Sequence, residues 1–467
     1  MALPRITISG LCGGSGKTIL SVGLIAAWTA SGQSVVPFKK GPDYIDAGWL
    51  AQAAGRPCSN LDTFLVDPAD TLALFLRRAR PESFNIIEGN RGLFDSIDIE
   101  GTTSTAELAK LLVSPVVLVV DCTKTTRTMA ALLMGCSHFD PQVDVRGVVL
   151  NRVANSRHEE KLRVNIERYC GIAVLGAFPK FTRDDFPERH MGLVPAPEHQ
   201  WAVDAAARMG ELVKKHVDID RVADIARSPL IPEPRPGKGG LGELRLEALD
   251  AAESSRPVVG VVRDSAFQFY YPENLEALTA AGAEIREVSL LTGESLSGLD
   301  ALYIGGGFPE THAEALSGNP VVTRELRERV EEGLPVYAEC GGLMVLGLSL
   351  SENGQTWPMA GVLPIRFGLS KRPRGHGYTQ CTVDTENPFF PPGTVLKGHE
   401  FHYSHPLEIL GETHAFAFAM SRGKGLSQGR DGILYKNVLA TYTHIHALGT
   451  PQWAPGLVAA ARRHRDR

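Results

Sequence analysis

The chain has 467 residues, more than one core usually holds, and this length suggests two or three domains. Hydrophobic residues make up 43% and charged residues 22%, the composition of a soluble globular protein. A formal net charge of −5 gives no electrostatic case for nucleic acid or an acidic membrane surface. No stretch reads as an uncharged span of about 18 residues, and "MALPRITISG" runs into a strand pattern without a signal-peptide core. The seven cysteines (12, 58, 122, 136, 170, 340 and 381) are dispersed and form no CxxC pair. That argues against a disulfide framework or a structural zinc site, and for a cytoplasmic protein with reduced thiols.

The first half alternates apolar runs with helical patterns. "RITISG" (5–10) is a strand and "KTILSVGLIAAWTASG" (17–32) a helix closed by Gly32. "SVVPFK" (34–39), "FNIIEG" (84–89), "PVVLVVD" (115–121), "VRGVVLNR" (145–152) and "GIAVLGAFP" (171–179) read as buried strands. Strands separated by helices predict an α/β fold with a parallel sheet covered on both faces.

Between the first strand and first helix lies "GLCGGSGKT", the order a phosphate-binding loop requires. Backbone N–H groups at a helix N-terminus surround phosphate oxygens, and the helix dipole favours the anion. Gly13, Gly14, Ser15 and Gly16 would form the cradle, Lys17 would reach the phosphates, and the Thr18 hydroxyl would bind Mg²⁺. The usual spacing puts a glycine at position 11; here that residue is Leu11, and Gly10 lies one place earlier.

Acidic residues follow two strands. "FKKGPDYIDAGW" (38–49) carries Asp43 and Asp46, and "IIEGNRGLFDS" (86–96) carries Glu88 and Asp95. All fall at the carboxyl edge of a parallel sheet, where ligands bind in open α/β folds. Thr18, Asp43 and Glu88 suffice for Mg²⁺, which takes hard oxygen ligands together with phosphate and water. Solvated loop acids are the competing reading, above all for Asp46 and Asp95. Asn151, at a later strand end, could read an adenine edge or cap a turn.

A proline- and glycine-rich stretch, 228–256, reads as a linker between a domain at 1–227 and another at 257–453, with a tail at 454–467. The second α/β series begins at "PVVGVVRD" (257–264) and continues through "GLDALYIGGG" (298–307). In "PVYAECGGLMVL" (335–346), strand, Cys340, two glycines and helix make a sharp turn of the kind that exposes a nucleophile. A helix N-terminus there would lower the thiol pKa and offer amides to an oxyanion. "ATYTHIHAL" (440–448) supplies the base. Strand alternation puts Tyr442, His444 and His446 on one face, and Thr443 and Ile445 on the other. "YIGGGFPE" (303–310) follows a strand, so Gly306 and Gly307, with Gly341, are candidate oxyanion donors.

"GGGFPE", "YAECGGLMVL" and "YTHIH" resemble the glutamine amidotransferase domain of the cobyric-acid synthesis type. The first half resembles the P-loop domain related to dethiobiotin synthetase, a group with the longer Gly-x5-Gly-Lys-Thr spacing that Gly10 fits. With "FKKGPDYID", "ERHMGLVPAPE" (188–198), "FQFYYPENLEAL" (267–278) and "GHEFHYS" (398–404), nearly the whole chain is similar to the cobyrinic acid a,c-diamide synthase family. The resemblance implies two domains: an N-terminal P-loop parallel-sheet domain and a C-terminal class I (flavodoxin-like) glutamine amidotransferase domain.

It also implies a reaction. Glutamine is hydrolysed at Cys340 with help from His444, and ammonia passes to the P-loop domain. There ATP and Mg²⁺ activate the a- and c-acetate carboxylates of a corrinoid, with Asp46 and Asp95 at the substrate. Many related glutaminases carry Glu two residues after this histidine. Here that position is His446, so the acid that would orient His444 is missing from its motif. His399 and His402 either line a corrinoid cleft or make structural hydrogen bonds. The expected partners are L-glutamine and cobyrinic acid or a related tetrapyrrole, with no nucleic acid and no membrane. A homodimer stays open. The alternatives are the same reaction on hydrogenobyrinic acid or nickel sirohydrochlorin, and a P-loop switch ATPase, which leaves Cys340 and His444 idle.

Overall fold

Six strands of the first half are apolar enough to be buried on both faces, and with one short polar strand they form one parallel sheet. In the computed structural model they are β1 (Arg5–Gly10), β2 (Val35–Lys40), β3 (Ser59–Leu61), β4 (Phe84–Glu88), β5 (Val116–Asp121), β6 (Val145–Val153) and β7 (Ala173–Pro179). The spatial order is β3-β2-β4-β1-β5-β6-β7, every pair parallel. The described residues are 3–180, 202–228, 256–411 and 414–467, with the backbone of the short strands Glu188–Arg189 and Gly192–Leu193. The side chains of the 188–198 motif and residues 229–255 of the expected linker lie outside them.

The six longer strands fall within a residue or two of the apolar runs. The three-residue β3, "SNL", carries no apolar run and is not legible in the sequence. Lys39 pairs with Glu88 and Asp121 with Asn151, so the carboxyl ends of β2, β4, β5 and β6 share the edge of the sheet with Gly10 of β1.

The chain divides into two compact units, Met1–Lys238 and Gly239–Arg467. The second contains a mixed sheet. Its parallel part runs in space Glu284–Val288, Val258–Val262, Ala301–Ile304, Val336–Glu339, Val438–Thr441. Numbered along the chain this is the order 2-1-3-4-5 of flavodoxin-like sheets. Antiparallel strands Arg430–Tyr435, Ala415–Arg422, Gly375–Val383 and Val395–His402 extend it, and His444–Ile445 pairs on the far edge.

That last pairing corrects the expected alternation through 440–448. The strand stops at Thr441, because the buried Asp431 carboxylate takes the amides of Tyr442 and Thr443 (both 3.1 Å) and the hydroxyls of Thr441 (2.7 Å) and Thr443 (3.0 Å). The ladder donors are diverted, the chain bends, and His444 joins the strand Val395–His402 instead. His444 and His446 then meet different partners.

Residues 454–467, set apart above as a tail, continue the helix Trp453–Arg465. Its Trp453, Leu457, Val458 and Ala461 are buried in the core of the second unit, with Trp453 edge-on to Tyr303 at 5.1 Å. Among the described residues no helix is long and apolar enough to cross a membrane. Replacing Trp453 with Ala should destabilise the second unit by about 3–5 kcal/mol, as emptying a buried aromatic site does. Urea unfolding of the full chain, followed by a probe in that unit, would measure it; an unshifted midpoint would show the helix to be dispensable.

Candidate functional site

The phosphate loop is built by close approach. A Cβ on Gly10 would crowd the Ser15 hydroxyl and lie 3.0 Å from the Val119 carbonyl, so position 10 favours glycine. This is a physical reason for the long spacing. Gly14 and Gly16 adopt φ of 70° and 103°, which only glycine takes without strain, and deliver the chain into the helix Lys17–Ala30. Asn151 braces the loop: its Nδ2 donates to the Ser15 carbonyl at 2.8 Å, and its Oδ1 accepts the Arg152 amide at 2.9 Å. Its amide therefore holds the loop backbone. Lys17 arcs back so that Nζ donates to the Cys12 carbonyl at 3.0 Å. Burial, then the charge of Lys39, depresses the Lys17 ammonium.

Beside the loop stands an acidic cluster with a cation that the sequence reading did not single out. Lys39 is 1% exposed, and its Nζ lies 2.6 Å from Asp46 Oδ2 and 2.8 Å from Glu88 Oε1. Burial works against its charge, but Asp46, Glu88 and Asp43 outweigh it and hold the ammonium above its ordinary range. Thr18 donates its hydroxyl to the same Glu88 oxygen at 2.9 Å. Asp43 caps the helix Tyr44–Ala54 by accepting the amides of Ile45 and Asp46, each at 2.9 Å. Burial and the neighbouring Asp46 push its carboxyl up to about 7.

Lys17, Thr18, Asp43, Asp46 and Glu88 are thus brought together. Asp95 is not part of that cluster. It is exposed, and its Oδ2 accepts the Gly92 amide at 2.8 Å, which shapes the loop after β4.

In the second unit Cys340 sits between the strand Val336–Glu339 and the short helix Gly341–Leu346 with φ 48° and ψ −95°, a strained conformation for a side-chain-bearing residue. A Cβ on Gly342 would strike the Ile304 carbonyl, so glycine is required where the turn meets the neighbouring strand. The Cys340 amide donates to Thr441 O at 2.7 Å, which ties the turn to the histidine segment. The oxyanion candidates converge: a Cβ on Gly341 would lie 3.0 Å from the Gly307 nitrogen, and one on Gly306 would meet the His444 ring.

One expectation is corrected. The thiol is not held down by the helix end. Burial, then the charges of Glu310 and Glu339, pushes it up, and the Gly341 N–H only partly opposes them.

The acid missing from the His-x-His motif is supplied from elsewhere. Glu339, the residue before Cys340, is fully buried, and its Oε2 lies 3.2 Å from His444 Nδ1. The same oxygen accepts the Tyr303 hydroxyl at 3.1 Å, and Oε1 accepts the Ile445 amide at 3.2 Å. With Nδ1 donating to Glu339, the lone pair of His444 is at Nε2. His399 stacks on His444 with centroids 4.9 Å apart; burial, then the charge of His444, holds His399 far below the ordinary histidine range. His402 stacks on Tyr442 at 3.6 Å, and its Nδ1 lies 2.8 Å from Ser404 O. His446 faces Glu273 across 3.6 Å, both fully buried. The signal for Glu339 was in the sequence, as a charge inside a buried strand.

A nucleotide cradle in one unit and a cysteine–histidine–acid site in the other define a glutamine-dependent amide ligase. Residues 6–194 match the CobQ/CobB/MinD/ParA nucleotide binding domain, and residues 258–452 match the CobB/CobQ-like glutamine amidotransferase domain. The chain belongs to the cobyrinate a,c-diamide synthase family. It is 45% identical to the cobyrinate a,c-diamide synthase of Magnetococcus marinus, covering 100% of this chain and 98% of that one. The Archaeoglobus fulgidus synthase is 39% identical over 100% of this chain and 99% of its own, and the Methanosarcina acetivorans synthase 36% over 99% and 96%.

Replacing Lys39 with Met should leave Asp46 and Glu88 without their counter-charge and destabilise the first unit by about 3–5 kcal/mol near neutral pH. The deficit should shrink as pH falls, because the native carboxyls of the variant protonate before those of the unfolded chain. Urea unfolding at several pH values checks both; a pH-independent deficit would contradict the electrostatic account.

Proposed function

We propose that this chain amidates the a- and c-acetate carboxylates of cobyrinic acid in cobalamin biosynthesis, using ATP and the side-chain nitrogen of glutamine. The observation that carries the reading is the hydrogen bond of His444 to Glu339 beside the strained Cys340 turn. A P-loop switch ATPase has no use for it. Family membership supports the substrate, since the relatives carry the name cobyrinate a,c-diamide synthase.

The buried thiol is protonated at rest. His444 Nε2 takes its proton as Cys340 Sγ attacks the glutamine amide carbon, and the Gly341 and Gly307 amides receive the oxyanion. Glu339 stabilises the imidazolium and keeps it oriented. The imidazolium returns the proton to the departing nitrogen, ammonia leaves, and water cleaves the thioester to glutamate.

In the first unit Gly13 to Lys17 would hold the ATP phosphates. Asn151, near the end of β6, would stiffen the loop around the nucleotide. Thr18, Asp43 and Glu88 would hold Mg²⁺; in support, Glu88 Oε2 is buried and makes no hydrogen bond among the described residues, a hard oxygen next to the P-loop hydroxyl. Mg²⁺ supplies charge neutralisation on the phosphates. Phosphorylation of a carboxylate creates the leaving group it lacks, and ammonia displaces phosphate to leave the amide. Lys39 and Asp46, beside the phosphate loop, would meet that carboxylate, and Asp95 shapes the adjoining loop.

Cys340→Ser should lower glutamine-dependent amidation by about a thousandfold or more, yet amidate with ammonium salts. Glu339→Gln should lower glutaminase turnover by about a hundredfold or more and leave ammonia-dependent amidation intact. Loss of both activities in a folded variant would contradict the division of labour. Parallel turnover of cobyrinic acid, hydrogenobyrinic acid and nickel sirohydrochlorin, with products resolved by mass, tests the substrate.

A further inference from the structure

The carboxyl edge of the first sheet has a second, cationic side. Successive strand residues face opposite ways, so Lys40 looks away from the acids that hold Lys39. Lys40 is only 5% exposed, and among the described residues its ammonium makes no hydrogen bond or ion pair. Its charged neighbours are Asp62, Lys39 and Arg91. Asp62 is engaged already, its Oδ1 accepting the amides of Phe64 at 2.8 Å and Leu65 at 2.9 Å. Burial depresses the Lys40 ammonium below its ordinary range, and Lys39 and Arg91 add to this against the pull of Asp62.

Arg91 is exposed, and among the described residues its guanidinium likewise makes no hydrogen bond or ion pair. It sits at φ 51°, left-handed backbone that side-chain-bearing residues rarely adopt. The loop that presents it is fixed on two sides. Gly92 donates to Asp95, and a Cβ on Gly41 would lie 3.0 Å from Asn90 Nδ2, so the loops after β2 and β4 touch.

A nearly buried ammonium without an ion pair, with two cations among its charged neighbours and only the amide-bonded Asp62 opposing them, is unfavourable until a further anion binds, and strained backbone such as that of Arg91 concentrates at ligand sites. We propose that Lys40 and Arg91 form a carboxylate-binding subsite that takes a peripheral side-chain carboxylate of the tetrapyrrole, one not being amidated, and so fixes which acid reaches the phosphate loop. This rests on the functional reading above. A tetrapyrrole polycarboxylic acid offers several such groups, and the two cations offer charge-assisted hydrogen bonds to one of them.

The test uses the full chain with Lys40→Met, Arg91→Gln, the double variant and Lys40→Arg, each checked for folding by circular dichroism. Steady-state amidation and calorimetric binding of cobyrinic acid are measured. Each charge removal should raise the KM and Kd for cobyrinic acid about tenfold or more, with the KM for ATP changing less than about twofold, and Lys40→Arg should recover most of the loss. The exposed Arg91 variant decides the matter if Lys40→Met fails to fold. An unchanged KM for cobyrinic acid in Arg91→Gln, or a rise confined to ATP, overturns the subsite. No binding and no amidation of any tetrapyrrole by the unaltered chain would instead overturn the functional reading.

Discussion

The buried carboxylate of Glu339 is the constraint around which the second unit is organised. It ends a central parallel strand, and burying it would cost several kcal/mol without partners. It has three: the Tyr303 hydroxyl, the His444 imidazole and the Ile445 amide. Those partners come from two other segments, so one charge fixes where the histidine must stand. The next residue is the strained Cys340, and nucleophile, base and acid are therefore positioned by one strand end. Asp431 completes the arrangement by pulling Tyr442 and Thr443 out of the ladder, which lets the chain turn back toward Glu339.

The first unit solves a related problem with opposite sign. There a buried cation, Lys39, gathers carboxylates at the strand ends beside the phosphate loop. The cluster keeps hard oxygens close together before any metal or phosphate binds, with Thr18 already on Glu88. Each unit thus spends a buried charge on orientation, and in both the charge lies at the carboxyl end of parallel strands, where backbone geometry opens a crevice.

What could be read from the sequence follows from what is local. Strands buried on both faces give continuous apolar runs, so β1, β4 and β5 stand out, whereas the polar "SNL" of β3 does not. Gly-Gly after a strand and Gly-Lys-Thr before a helix are contiguous and need no tertiary knowledge. The roles of Glu339 and Lys39 are not legible in the local sequence because their partners lie far along the chain: His444 is 105 residues from Glu339, and Glu88 is 49 from Lys39. The alternation through "YTHIH" misled because Asp431, ten residues earlier than Thr441, overrides the ladder. The thiol's raised pKa was equally out of reach, since the helix-end argument is local and burial is not. The residues at 454–467 read as a tail because the linear pattern does not reveal that Trp453 closes onto Tyr303.

The central claim is that one chain couples glutamine hydrolysis at Cys340 to amidation of tetrapyrrole carboxylates driven by ATP. Its most direct test supplies cobyrinic acid, ATP and glutamine carrying heavy nitrogen in the side-chain amide, at neutral pH and without added ammonium. The account predicts a diamide with heavy nitrogen in both new amides and one glutamate formed for each. A diamide that carries unlabelled nitrogen, or glutamate formed without any amidated tetrapyrrole, would contradict it.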